Sequence, residues 1–381
     1  MRSNTLYSYD ISQFLGADSF GVLLNTANQK YNEAIWRRYA DWGMPTDDTE
    51  WVQGMKETPI LVRASILGPD GNKPQRSTEG WNVYKGSVPE FGHSFSIDQD
   101  DFKMLRKRSK LEGTPFENLM VDSLIQNSAN MLGGIHNELS HMVLSALSTA
   151  EIHEASVDGG KYDFQFPLEK GHKLDVTTMW FNKDGSANEA ADPVKDIVDM
   201  QKYLTDGLQL AVDHWKISKT LLDKLLAHPK VISSCMARAE FRNVNTSLQG
   251  SLLLTQDEEL AIIHGLNIWP FDVIDFKTRH EEDGKPQLDE PAFDPKVMVA
   301  ANSQFKPFTI KCTNSIYRDR LKAGPTASTS LYSFVEDRIA VLSTWQERPI
   351  KNIVDFGLQA GPVFRNTHDL AILKVQAETS K

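Results

Sequence analysis

From Thr114-Pro115 to Ala150 the chain carries one long apolar stripe, and no other feature limits its folding as much. Met120, Leu124, Met131, Leu132, Ile135, Leu139, Met142, Val143 and Ala146 recur mostly at three or four, which places them on one face of a helix. Pro115 suits a helix start, where its missing N–H costs no bond, and Glu117 complements the positive end of the dipole. The pattern predicts a helix of about 30 residues, roughly twice the common globular length. Such a helix is a spine against which the rest of the chain must be laid.

Two features of the spine raise chemical questions. Gly133-Gly134 falls in its middle, where each glycine costs about 1 kcal/mol relative to alanine, so the pair predicts a bend or the close approach of a neighbouring backbone. The same stretch, "GGIHNELSHMVLS", holds His136, Glu138 and His141. Zinc held by HExxH needs histidines at i and i+4, whereas these two are five apart, about 140° around a straight helix. Glu138-x-x-His141 has the i,i+3 spacing of di-iron bundles, but those need a second copy and further glutamates, and the chain offers one. The histidines are therefore read as bystanders, or at most as polar contacts across an interface.

Around the spine the chain alternates short helical and extended patterns. Residues 1–57 mix turn-formers with "NQKYNEAIWRRYADWG" and hold Trp36, Trp42 and Trp51, an aromatic density that predicts burial against the same chain or a neighbour. Residues 58–98 read as a long β-hairpin with a polar tip around Pro69-Asp70-Gly71. Strands are expected at "KYDFQFPL" and "KLDVTTMWF". Asp192 and Pro193 then cap a helix whose buried face is Val194, Ile197, Val198, Met200, Tyr203 and Leu204. The segment "LAVDHWKISKTLLDKLLAHPKV" adds a strand and a helix, and an acidic turn at Asp283-Gly284 leads toward the strand "KVMVAA". The remainder is β-rich and closes on "LAILKV". The class is α+β, without a βαβ rhythm or an internal repeat.

Composition narrows function mainly by exclusion. The chain has 381 residues, 40% of them apolar, and a net charge of -10, which argues for a folded protein whose surface does not cling to nucleic acid. Cys235 and Cys312 lie far apart without CxxC spacing, so neither a disulfide framework nor a zinc site is expected. No signal peptide or membrane span is read from the sequence. The one dense basic cluster is Lys103, Arg106, Lys107, Arg108 and Lys110; it is read as a solvated helical face or, among functional options, a subunit contact. "RHEEDGK" lacks the spacing of a calcium loop. Phosphate-binding, nucleophile-elbow and dinucleotide motifs do not occur. No catalytic, cofactor-binding or metal-binding residue is assigned, no cofactor is expected, and the chain is not expected to be an enzyme.

The order of these parts resembles the tailed-phage major capsid proteins of the Hong Kong ninety-seven fold, and more closely the lambda-type major capsid protein E family. The resemblance rests on an arm, an extended hairpin, the spine "FENLMVDSLIQNSANMLGGIHNELSHMVLSALSTA", then "MWFNKDGSANEAADPVKDIVDMQKYLTDG", "DHWKISKTLLDKLLAHPKV" and the closing "STWQERPIKNIVDFGLQAGPVFRNTHDLAILKV". Where that family often has Asp-Pro in its closing segment, this chain has Arg348-Pro349. The resemblance implies an N-terminal arm (1–57), an extended hairpin loop (58–98), a peripheral domain with the spine (99–185), an axial domain (186–325) and a return to the peripheral domain (326–381).

It also implies self-assembly into hexamers and pentamers forming an icosahedral shell around double-stranded DNA. The expected location is the virion, assembled in the host cytoplasm, with scaffold and portal proteins as partners and a decoration protein as a further one. Contacts between copies are expected at Trp36, Trp42, Trp51, Arg63, Lys73, Arg76, Trp81, Val83, Tyr84, Arg106 and Arg108. Two alternatives stand beside this reading: an encapsulin-like nanocompartment shell, and a metal-dependent hydrolase built on His136, Glu138 and His141.

Overall fold

The computed structural model describes residues 17–56, 81–155, 161–169, 171–241, 256–282, 285–288, 291–304, 306–313, 330–365 and 370–377. They divide into two compact units, one of residues 1–51, 85–143 and 308–363, the other of 52–84, 144–307 and 364–381.

In the first unit, a sheet is organised by the strand Ile350–Phe364, 15 residues long. On one side it pairs antiparallel with Ile339–Glu347, which pairs in turn with Ser330–Val335; on the other it pairs with Glu90–Asp98 and with Phe308–Thr313. Ala40–Trp42 completes the sheet parallel to Phe308–Thr313. Along the long strand Asn352, Val354, Phe356 and Leu358 are buried while alternate positions are more exposed, so one sheet face forms the core and the other meets solvent.

The spine is continuous over Phe116–Thr149, 34 residues or about 51 Å. Its predicted stripe is buried except for the half-buried Met131, with Leu132, Leu139, Met142 and Val143 at or near zero exposure. A separate helix, Gln99–Glu112, precedes it. Asp98 and Asp101 form a reciprocal capping box at its start, and Gly113, at φ 70°, ends it in the left-handed conformation.

The extended run expected over 58–98 divides. Glu50–Lys56 pairs with Trp81–Ser87, residues 57–80 lie outside the described residues, and Glu90–Asp98 leaves the hairpin for the six-stranded sheet. Period-two alternation identifies a strand, but it is the same for any partner. Here Ile97 is buried and Phe95 stacks beside Phe356 at 6.2 Å, which fixes this strand on Ile350–Phe364.

The second unit is built on a five-stranded mixed sheet in the order Lys173–Asp175, Leu370–Lys374, Val297–Ala301, His214–Ser218, Phe271–Ile274. The central strand Val297–Ala301 is buried along its whole length, as a strand covered on both faces must be. Helices Pro193–Lys202, Lys219–Leu226 and Pro229–Phe241 bring Ile197, Leu221, Leu222, Leu225 and Val231 into a core with Trp180, Trp215 and Met298. Asp192 caps the first of them by accepting from Lys195 N at 3.1 Å, with Pro193 following, as the sequence predicts.

That helix ends one residue before Tyr203, and a five-residue π turn, Tyr203–Gly207, follows. The change of pitch leaves Tyr203 exposed, so only part of the predicted buried face is buried. Asp283-Gly284, read as an acidic turn, lies outside the described residues; Arg279–Glu282 pairs antiparallel with Lys285–Leu288, in a two-stranded sheet separate from Val297–Ala301.

Candidate functional site

His136 lies on the buried face of the spine, 1% exposed, and both its ring nitrogens are engaged. Trp36 Nε1 donates to Nδ1 at 3.1 Å, so the proton is on Nε2, which donates to Asn28 Oδ1 at 2.9 Å. Tyr31 and Trp36 stack on the ring with centroids 5.3 and 6.1 Å away. Burial pushes the imidazole pKa down to about 4; neighbouring Arg37 adds to this and Glu336 partly opposes it. No ring lone pair remains for a metal or a substrate. Glu138 and His141 are half-buried, and among the described residues no group of three His, Cys, Asp or Glu could hold a metal ion.

The histidine belongs to a polar network that fastens residues 28–42 to the first unit. Glu336, in the turn between two strands, accepts from Asn28 Nδ2, Arg37 and Trp42 Nε1. Burial raises its carboxyl pKa, but the charge of Arg37 and the Trp42 hydrogen bond outweigh burial and hold it below its usual value. Glu336 and Asp337 both have positive φ, 51° and 62°, as a tight hairpin turn of this hand requires.

Trp36 and Trp42 meet edge to face at 4.9 Å, and Arg338 lies 5.2 Å from the Trp42 ring. Trp36 is fully buried and Trp51 is buried as well within the single chain. Aromatic density correctly signals burial, but a buried tryptophan is equally stable against its own chain and against a neighbour.

Gly133 and Gly134 admit neighbours, though not by the expected means. A Cβ on Gly133 would fall 2.5 Å from Tyr31 Oη, and one on Gly134 would fall 2.4 Å from the His93 ring. The close approach is made by side chains rather than by backbone, and the helix runs unbroken through both positions.

Of the remaining interface candidates, Arg63, Lys73 and Arg76 lie outside the described residues, as does the side chain of Trp81. Val83 is 61% exposed and Tyr84 is half-exposed on the strand Trp81–Ser87. On the helix Gln99–Glu112, Arg106 is partly covered and Arg108 is exposed, paired with Glu112 at 2.8 Å. This helix touches its unit chiefly through Phe102, which packs by Trp345. Its far side presents Met104, 70% exposed, and Leu111, 78% exposed, one heptad apart and flanked by Lys103, Lys107, Arg108 and Lys110. The two apolar residues were legible as an i,i+7 pair opposite Phe102, but a charge count alone passes over them.

Comparison with solved structures bears on the fold. A crystal structure described as a capsid protein of an Escherichia coli prophage superposes with a TM-score of 0.52, covering 95% of this chain and 99% of that one at 11% identity. The fold is that of a tailed-phage capsid protein. A phage-related protein of Bordetella bronchiseptica (TM-score 0.46, 12% identity, 93% and 96% covered) and the mature capsid of bacteriophage PhiM1 (0.43, 10%, 91% and 88%) are also similar. No protein-family model matches the sequence, and no curated protein matches it. The likeness is to the Hong Kong ninety-seven capsid fold as a class, and the lambda-type branch is not singled out. Among the described residues of this capsid-type chain, no helix is long and apolar enough to cross a membrane.

Proposed function

We propose that the chain is a major capsid protein whose hexamers and pentamers close an icosahedral shell around packaged double-stranded DNA. The observation that carries this reading is the likeness to a phage capsid protein along almost the full length of both chains. Exposed apolar side chains on well-formed elements support it: Val83, Met104 and Leu111 each leave water only when another molecule covers them. The net charge of -10 suits a container wall that must not hold the packaged phosphates tightly. On this reading the hairpin beyond Lys56 lies across a neighbouring copy, scaffold and portal proteins act during assembly in the host cytoplasm, and the product is the virion shell. A decoration protein is a further partner on the same reading.

The test is electron microscopy of the expressed full chain, alone and with a scaffold protein from the same gene cluster. Closed icosahedral particles or capsomer rings are expected, and a chain that stays monomeric throughout refutes the proposal. An encapsulin-like compartment would share the fold, and the contents of the particles formed in an infected host separate the two: packaged phage DNA for the capsid, an enzyme cargo for the compartment.

A further inference from the structure

Among the described residues nothing covers Met104 or Leu111 on the outward face of the helix Gln99–Glu112, and of the cations there Lys103 and Arg108 pair along the helix with Asp100 and Glu112, each at 2.8 Å. Met104 and Leu111 form an apolar line, and Lys103, Lys107, Arg108 and Lys110 surround it. Nucleic acid is a poor fit, because thioether and isobutyl groups gain nothing against phosphate. A partner with carboxylates beside an exposed apolar side chain matches both parts of the face.

The same unit displays such a partner. Residues 44–50, "MPTDDTE", run along the surface with Met44 87% exposed and Asp47, Asp48 and Glu50 exposed. Backbone bonds hold the segment in place: Thr46 N donates to Cys312 O at 2.9 Å, and Val88 N donates to Thr49 O at 3.0 Å. The second bond puts the acidic segment next to residue 88, just before the strand Glu90–Asp98 begins. The basic helix starts where that strand ends, capped by Asp98. The strand between them, Glu90–Asp98, spans eight steps of extended chain, about 26 Å.

We propose that the acidic segment 44–50 of one copy docks on the basic, apolar face of the helix Gln99–Glu112 of the next copy, in a head-to-tail contact. Different patches meet at such a contact, so it repeats around a ring and needs no two-fold axis. This deepens the shell reading and rests on it: the contact supplies a bond between successive subunits of a capsomer. It is charge-steered, so it strengthens at low salt and weakens as the Debye length shrinks.

Charge exchange tests it in the full-length chain. One variant carries Lys107→Glu and Lys110→Glu, a second carries Asp48→Lys and Glu50→Lys, and a third carries all four. Association is followed by sedimentation velocity and electron microscopy, and circular dichroism checks that each chain is folded. Either pair alone sets like charges against each other and is expected to weaken association about 100-fold. Mixing the first two variants, or combining the four changes in one chain, restores opposite charges and is expected to restore association.

If wild type assembles and neither the mixture nor the four-fold variant recovers, the docking proposal is overturned while the shell reading stands. If exchange rescues small head-to-tail oligomers and no shell forms under any condition, the contact is upheld and the shell reading falls. If the wild-type chain never self-associates, both are overturned.

Discussion

Replacing Gly133 by alanine is a sharp test of how the spine is packed, because two physical effects predict opposite signs. In an exposed helix the change would stabilise by about 1 kcal/mol, since glycine loses more backbone freedom than alanine on folding. Here the new Cβ would lie 2.5 Å from Tyr31 Oη and 2.9 Å from its Cζ. Tyr31 cannot swing away without loss, because its hydroxyl donates to Ala129 O at 2.6 Å and its ring stacks on His136. Displacing it forfeits a hydrogen bond of about 1 kcal/mol and adds overpacking of about 1–3 kcal/mol. Steric cost wins, and Gly133→Ala is expected to destabilise by about 1–2 kcal/mol, read as a lowered urea midpoint of the unassembled chain.

The decisive measurement is the same change in a Tyr31→Ala background. With the ring gone only helix propensity remains, so Gly133→Ala should now stabilise, by up to about 1 kcal/mol. A stabilising effect in the wild-type background, or the same destabilisation in both, would refute this account of the paired glycines.

Two further outcomes follow from the network around His136. Its folded pKa of about 4 lies below the usual 6.5, so the unfolded chain binds the extra proton between those values. The contribution of neutral His136 is complete above pH 6.5 and is lost as pH falls toward 4, by an amount of up to about 3 kcal/mol. His136→Gln should flatten the stability profile in that window, and an imidazole seen by NMR to titrate near 6.5 would contradict the burial described. Glu336→Ala removes the shared acceptor of Asn28, Arg37 and Trp42. It is expected to cost about 1–3 kcal/mol and to speed proteolysis within residues 28–42, whereas unchanged cleavage would show that the segment is held by other means.

Much of the fold was legible because several signals are local. The spine's stripe, the Asp192-Pro193 cap and the strand ending the chain depend on residues within a few turns of one another, and each lies where the pattern placed it. The candidate contact surface was legible only in part. The basic cluster was visible as charge, but the role of Phe102 in turning Met104 and Leu111 outward depends on Trp345, more than two hundred residues away. The density of tryptophans in the first 57 residues pointed to burial against the same chain or a neighbour, and the hydrogen bond of Trp36 to a histidine of the spine could not be read from it.

The sequence by itself determined that the spine is one long helix, that Asp192 and Pro193 start another, that the chain returns through a strand at Leu370–Lys374, and that the paired histidines cannot share a metal. Those outcomes follow from backbone sterics and from periods of 3.6 and 2 that any partner must respect. Only the tertiary structure decided that Glu90–Asp98 pairs with Ile350–Phe364, that His136 is sealed between Trp36 and Asn28, and that two glycines make room for Tyr31 and His93. Strand pairing and burial are chosen by competition among many chemically similar apolar surfaces, and that competition is settled by how the whole chain packs, not by any stretch of it.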